Sequence, residues 1–178
     1  PRTVTMHCRT AFVTGSGSGI GLALAETLAR RGARVAAFDL RFTDEARTRL
    51  RKVCPAALFF DVDVRDAAGV ATAVNSAVGQ IGRPDVAINS AGVQVALPFL
   101  EISSERYDFV VDVNLKGSRN FAAAVLPHMQ SGGHLALVAS LAGIVSNYGY
   151  AAYSSSKFGV VGLATALRIE CKTRGIAV

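Results

Sequence analysis

The sequence predicts an α/β fold of the Rossmann type: a doubly wound parallel sheet with helices on both faces and its C-terminal strands missing. Three observations carry that expectation. Short apolar runs alternate with longer stretches of helical spacing, which is the signature of βαβ units. A glycine-rich turn joins the first run to the first helix. The composition, 51% hydrophobic and 18% charged over 178 residues, excludes a disordered chain and suits one domain with its own core.

The expected strands are Ala11–Thr14, Arg34–Asp39, Ala57–Asp61, Val86–Asn89 and Leu135–Ser140, each short, apolar and read as buried on both faces. Between them the spacing predicts helices over Ile20–Arg31, Thr43–Val53, Asp66–Gln80, Ser104–Met129 and Ala151–Arg174. In the first, Ile20, Leu24 and Leu28 share a face, Arg30 and Arg31 sit where the helix dipole favours cations, and Gly32 stops it. Gly175–Val178 follows a helix stop and reads as the opening of a sixth strand. No repeat or linker divides the chain, so residues 1–178 are expected to form one nucleotide-binding domain, incomplete at its C-terminus.

Composition also bounds the partners. Net charge is +6, and eight basic residues lie between Arg30 and Lys52 against Asp39, Asp44 and Glu45. No stacking aromatics are interleaved with them as nucleic-acid binding would require, so a solvated helix face is expected and no nucleic acid. Cys8, Cys54 and Cys171 are odd in number and far apart, which predicts free buried thiols in a reducing cytoplasm and no metal site. Pro1–Cys8 has no apolar stretch of a secretory leader. Asn120–Ser156 lacks charged residues, but Pro127, Gly132-Gly133 and the polar residues break it into runs too short for a membrane.

Four groups of residues carry chemistry. Thr14-Gly-Ser-Gly-Ser-Gly-Ile-Gly21 opens a helix directly after a strand, where backbone N–H groups and the dipole suit a pyrophosphate. It does not match G-x-G-x-x-G in any register. Asp39 ends the second strand 18 residues after Gly21, placed to accept from ribose hydroxyls and to repel a 2′-phosphate, while Arg41 keeps NADP open beside NAD. Tyr153 and Lys157 are four apart on one helix face. A free phenol titrates near pH 10; a neighbouring ammonium favours phenolate, so such a pair can exchange a proton with a carbonyl or alcohol oxygen. Ser140 stands at a strand's C-terminal end, where open α/β sheets place ligands.

Together Thr14-Gly15-x3-Gly19-x-Gly21, Asn89-Ser-Ala-Gly92, Asn114, Ser140 and Tyr153-x3-Lys157 resemble the short-chain dehydrogenase/reductase family, in its short single-domain branch, from Arg9 to Val178. The resemblance implies hydride transfer between NAD(H) and an alcohol or carbonyl compound. It implies that Tyr153 is the acid/base, that Lys157 tunes it and holds the nicotinamide ribose, that Ser140 orients the substrate oxygen, and that Asn114 holds a water. Gly15, Ser18, Gly19, Ile20, Gly21 and Asp39 would hold the dinucleotide, with Asp61-Val62 at the adenine and Asn89, Ala91 and Gly92 beside the nucleotide. Ser90 stands where the family usually carries a second Asn. Apolar Val93–Pro98 and Leu141–Tyr148 point to an apolar small-molecule substrate. Small and apolar residues on two helices, Phe121–Ala124 with Val160, Val161, Leu163, Ala164 and Leu167, predict a homodimer or homotetramer. Two other readings stay open: an NAD-dependent epimerase or dehydratase, which shares Y-x-x-x-K with a differently spaced turn, and a nucleotide-binding protein without turnover.

Overall fold

The computed structural model describes residues 8–178, so the reading of the N-terminal segment as lacking a leader concerns residues outside those described. Five strands, β1 Thr10–Thr14, β2 Arg34–Asp39, β3 Leu58–Asp61, β4 Val86–Asn89 and β5 His134–Leu137, form one sheet in the order β3-β2-β1-β4-β5. All four pairings are parallel. The order reverses between β1 and β4, and a sheet wound outward in two directions leaves a crevice at that point.

Alternation along the strands sends successive side chains to opposite faces. Ala11, Val13, Val35, Ala37, Val86 and Ile88 pack under α1 (Gly19–Arg30) and α2 (Asp44–Val53). Phe12, Ala36, Phe38, Ala87 and Leu135 meet α3 (Ala67–Ile81) and α5 (Gly117–Val125) on the other face. Fully buried Phe38 is the hub of that second layer, with ring centroids 5.6 Å from Phe12, 5.0 Å from Phe60 and 6.0 Å from Phe121. Thr43 and Asp66 cap α2 and α3, each accepting a backbone N–H of the first turn.

Several elements differ from expectation, each for a local reason. The edge strand β3 and the outer half of β5 are only partly covered, because a strand with one neighbour cannot be buried as deeply as a central one. β5 leaves the ladder after Leu137 rather than at Ser140. The expected helix 104–129 is three pieces: α4 (Ser104–Val111), a π-turn over Asp112–Lys116, and α5, with a 3₁₀ turn at Leu126–His128 where Pro127 withholds its N–H. The last helix, α6 (Ala151–Glu170), ends in a 3₁₀ turn and left-handed Gly175. Ala177 then bridges β5 at His134 in parallel, the start of the expected sixth strand.

The basic segment is a solvated helix face with its own partners: Arg47 pairs with Asp61 at 3.1 Å and lies over the Phe42 and Phe59 rings, and Arg49 pairs with Glu26 at 2.9 Å. The three cysteines are free, but only Cys171 is buried; Cys8 and Cys54 lie at the edge of the first layer. Phe121, Ala122 and Val160, read above as interface residues, are buried within this chain, whereas Phe109, Phe158 and Ile169 are exposed apolar residues of α4 and α6. Among the described residues no helix is long and apolar enough to cross a membrane.

Candidate active site

The parallel register brings one end of every strand to one edge: Thr14 beside Phe38 and Asn89, Asp39 beside Asp61, Asn89 beside Leu137. Over that edge lies a cavity of about 640 Å³, within the usual size of small-ligand sites. The glycine turn borders it, with Gly15, Gly19 and Gly21 bringing no side chain into it. Gly15 holds φ +65°, and a Cβ there would stand 2.6 Å from Ala91 N, so the turn rests directly on the loop after β4. A Cβ on Gly21 would strike the Gly15 carbonyl. Ser18 precedes α1 without making a capping bond from its side chain, which leaves the helix N-terminus open to an anion.

Asp39 joins this turn to β2. Its Oδ2 accepts from Gly17 N at 2.8 Å, and its Oδ1 from Arg41 N at 3.4 Å. Gly15, Ser18, Gly19, Ile20, Gly21 and Asp39 all line the cavity, with Leu40 beside them. The expectation for Asp61 is corrected: alternation turns it to the α2 face, where it is exposed and bonded to Arg47. Val62 does reach the cavity, and the carboxylate there belongs to Asp63, two residues on. Asp63 is clamped to Arg65, Nε to Oδ2 at 2.9 Å, and this ion pair and the Arg65 N–H hold its carboxyl below the usual range. The sequence contains two successive Asp-Val pairs of the same parity; what separates them is that β3 ends at Asp61, so the chain has left the strand before Asp63.

Asn89 lies behind the cavity rather than in it. It is 1% exposed; its Oδ1 accepts from Thr14 Oγ1 at 2.7 Å and its Nδ2 donates to Ser118 Oγ at 2.9 Å. Thr14 Oγ1 in turn accepts from Ser90 N and Ala91 N, each at 3.2 Å, fixing the loop whose Ala91 and Gly92 do line the cavity. Asn114, in the π-turn, is wholly buried. Its Oδ1 accepts from Val93 N at 2.8 Å, and its Nδ2 donates to Val93 O and to Ser156 Oγ, both at 2.9 Å. Ser118 Oγ donates to the Asn114 carbonyl at 2.5 Å.

Tyr153 and Lys157 face the cavity from the first two turns of α6, with Lys157 Nζ 5.7 Å from the Tyr153 ring centroid. Tyr150 packs edge-on to Tyr153, centroids 5.9 Å apart. Lys157 Nζ donates to Val138 O at 2.9 Å, and burial holds its ammonium below the ordinary lysine value. Ser140 begins a 3₁₀ turn that packs on α6; its Oγ accepts from Ala142 N at 3.1 Å, and it does not border the cavity. Unforeseen lining residues include Phe109 and Val113, one helical turn apart beside Asn114, and Val138 and Ala139 where β5 gives out. The i,i+4 apolar pair preceding Asn114 was the available signal for the first two. The described residues contain no group of three or more potential metal ligands.

A family model described as short chain dehydrogenase matches residues 9–178. Oxidoreductase UcpA of Escherichia coli K12 is 37% identical over 178 residues, covering 96% of this chain and 66% of the relative. D-threitol dehydrogenase of Mycolicibacterium smegmatis is 38% identical over 174 residues, covering 96% of this chain and 67% of its own. The chain therefore spans about two thirds of the length of these curated relatives, just under that for the first. The crystal structure of carveol dehydrogenase from Mycobacterium avium in complex with NAD superposes with TM-score 0.90 at 29% identity, covering 96% of this chain and 68% of that one.

The buried ammonium has a carbonyl for a partner and no carboxylate. Its folded-state value lies below the unfolded one, so the unfolded chain binds more protons between the two values and stability rises with pH across that window. Lys157→Met, which removes the charge and keeps the length, is expected to stabilise the fold at pH 7 by about 1 kcal/mol. The gain should vanish as pH approaches ~10.4, where lysine loses its proton in both states. Urea unfolding at the two pH values measures both effects, and equal stability at pH 7 would refute the account.

Proposed function

Because the chain belongs to the short chain dehydrogenase family, we propose that it is a single dinucleotide-binding domain catalysing hydride transfer between NAD(H) and an alcohol or carbonyl compound. The observation that carries this reading is one cavity lined both by the glycine turn with Asp39 and by Tyr153 with Lys157. The fit of a dinucleotide is supported by the space the glycines leave open: nothing lies within 4 Å of where a Gly19 side chain would begin. Gly15, Ser18, Gly19, Ile20 and Gly21 would hold its phosphates, Asp39 a ribose, and Val62, Asp63, Val64 and Leu40 its adenine. Bound, the cofactor supplies or accepts the hydride.

The chain's own residues would handle the oxygen and its proton. Tyr153 exchanges the proton with the substrate oxygen, with the Lys157 ammonium beside it on the same helix face. With one N–H on Val138 O, Lys157 keeps two donors for the cofactor's ribose. Ser140 Oγ is already an acceptor for Ala142 N, which leaves its O–H proton free for the substrate oxygen. Both N–H donors of Asn114 are taken, so its contribution is to hold the loop at Val93 and α6 in place. A Cβ on Gly92 would sit 3.2 Å from Asn114 Oδ1 and 3.5 Å from Lys157 Nζ, so the glycine lets the loop pass close to both.

Asp39 supports NAD over NADP: its carboxylate is part of the cavity wall, while Arg65, a cation of that wall, is neutralised by Asp63. Exposed Leu141, Ile144, Val145 and Tyr148 support an apolar small-molecule substrate, and the names of the relatives support an alcohol. The exposed Phe158 and Ile169 of α6 support a homodimer or homotetramer. Free thiols support a cytoplasmic setting.

Tyr153→Phe should bind NADH nearly as the wild type does and lose turnover by about 10²–10⁴-fold; retention of a tenth of kcat with an alcohol panel, followed at 340 nm, would remove Tyr153 from the proton step. NADH should bind more tightly than NADPH by about 1–3 kcal/mol in parallel fluorescence titrations, and equal affinities would overturn the role given to Asp39. Light scattering at micromolar concentration should give a multiple of the 18.6 kDa chain mass, and a pure monomer would defeat the oligomer assignment.

A further inference from the structure

We infer that Ser156 is a positioning residue of this site: its buried hydroxyl, held between the Asn114 side chain and the Tyr153 carbonyl, sets how α6 presents Tyr153 and Lys157 to the cavity. The inference rests on the catalytic reading of that pair and adds a residue that touches neither substrate nor cofactor. Ser156 lies directly before Lys157 in α6 and is 0% exposed. Its Oγ donates to Tyr153 O at 2.7 Å and accepts from Asn114 Nδ2 at 2.9 Å.

A serine hydroxyl inside a helix commonly bonds back to the preceding turn and does nothing further. Here the same oxygen also receives a hydrogen bond from another element. Asn114 reaches it from the π-turn while gripping both the N–H and the C=O of Val93, on the loop that borders the cavity. A single oxygen thus joins three segments: the loop after β4, the π-turn and α6. Its neighbours are the reacting groups. Gly92, on the same loop, passes close to Asn114 Oδ1 and Lys157 Nζ. Without the hydroxyl, one Asn114 N–H has no acceptor in a fully buried place, and it can recover one only by rotating the amide or shifting α6. A shift of α6 carries Tyr153 and Lys157 together against the cavity, a rotated amide releases the loop at Val93, and displacements of this kind cost rate out of proportion to their size. Tyr107 and Ser155, hydrogen-bonded at 2.8 Å between α4 and the outer side of α6, would keep the helix docked, so the change expected is one of alignment rather than of fold.

The test uses the Tyr153 phenol as its own reporter. Ultraviolet difference titration of the full chain against Tyr153→Phe isolates the ionisation of this one tyrosine, with no need of turnover or substrate. In Ser156→Ala, titrated against the Ser156→Ala/Tyr153→Phe pair, the midpoint should move by about threefold or more in proton concentration, because a displaced α6 changes how the phenol is exposed at the cavity wall. Turnover should fall by about tenfold while the KM for NADH changes by less than about twofold. Should the alanine variant fail to fold, Ser156→Cys, whose sulfur lengthens both bonds, is expected to shift the midpoint in the same direction. Ser156→Thr, which restores a hydroxyl, should return it towards the wild-type value. An unmoved midpoint in a folded Ala or Cys variant overturns the inference, as does a loss of turnover that only follows the loss of folded protein. If Tyr153→Phe instead keeps its turnover, the catalytic reading fails while the titration still decides the role of Ser156.

Discussion

The site depends on one constraint: five polar side chains lie in the interior behind the cavity, and each must find its partner there. Thr14, Asn89, Ser118, Asn114 and Ser156 are all between 0% and 1% exposed. They bond in sequence from β1 through β4, α5 and the π-turn to α6. Among the described residues no buried side-chain N or O is left without a partner. Removing one member strands the next at a cost of about 1–3 kcal/mol, more than the bond itself contributes. Such a chain stabilises little in sum, but it rejects arrangements in which β1, β4 and α6 meet differently. The loop that borders the cavity at Ser90–Val93 hangs from it, through Thr14 at one end and Asn114 at the other.

A second constraint, of space rather than bonding, sits on the opposite wall. The glycine turn is pressed between the loop after β4 and the end of β2: Gly15 rests on Ala91, and a Cβ on Gly17 would stand 2.8 Å from the Asp39 carboxyl carbon. Asp39 therefore shapes the turn as well as facing the cavity, since its Oδ2 takes the Gly17 N–H. Ser16, inside the same turn, points its hydroxyl inward to Val13 O and Phe38 O. The turn is thus fixed from below by β1 and β2 and leaves its outer N–H groups unclaimed. Hydrogen bonds hold one wall, and close packing together with hydrogen bonds to Asp39, Val13 and Phe38 holds the other.

Much of this was legible in the sequence, and the misses share a cause. Central strands and helix starts declared themselves as apolar runs alternating with helical spacing: β2 and β4 lie over the expected residues, and α2 and α3 begin one residue after the expected Thr43 and Asp66, which cap them. The glycine turn, Asp39, Tyr153 and Lys157 were found because their spacing is itself the chemistry. What spacing cannot carry is direction. Asp61 and Asp63 stand in identical Asp-Val pairs, and which one faces the cavity follows from where β3 stops and which face α2 covers. The π-turn was hidden because one extra residue in a helix leaves no compositional trace, though it turns Asn114 inward. Ser118 and Ser156 read as ordinary helix serines until Asn89 and Asn114 are placed beside them.

The early end of β5 shows how a departure from regular structure serves the site. Had the ladder continued to Ser140, the Val138 carbonyl would be drawn, like its N–H, into pairing on the β4 side. Instead β5 stops at Leu137. Val138 keeps its N–H on Asn89 O at 2.9 Å, so the segment stays anchored to β4, while its carbonyl turns to Lys157 Nζ. One residue thus ties the strand that carries the polar chain to the ammonium at the cavity wall. The ammonium needs such an acceptor because a buried cation without one would lose its proton. A carboxylate would satisfy it more strongly, but it would also neutralise its charge. A carbonyl dipole holds the lysine in place and leaves its positive charge uncompensated at the cavity wall. That is a physical reason for this site to use a strand end where a surface ion pair would use an acid.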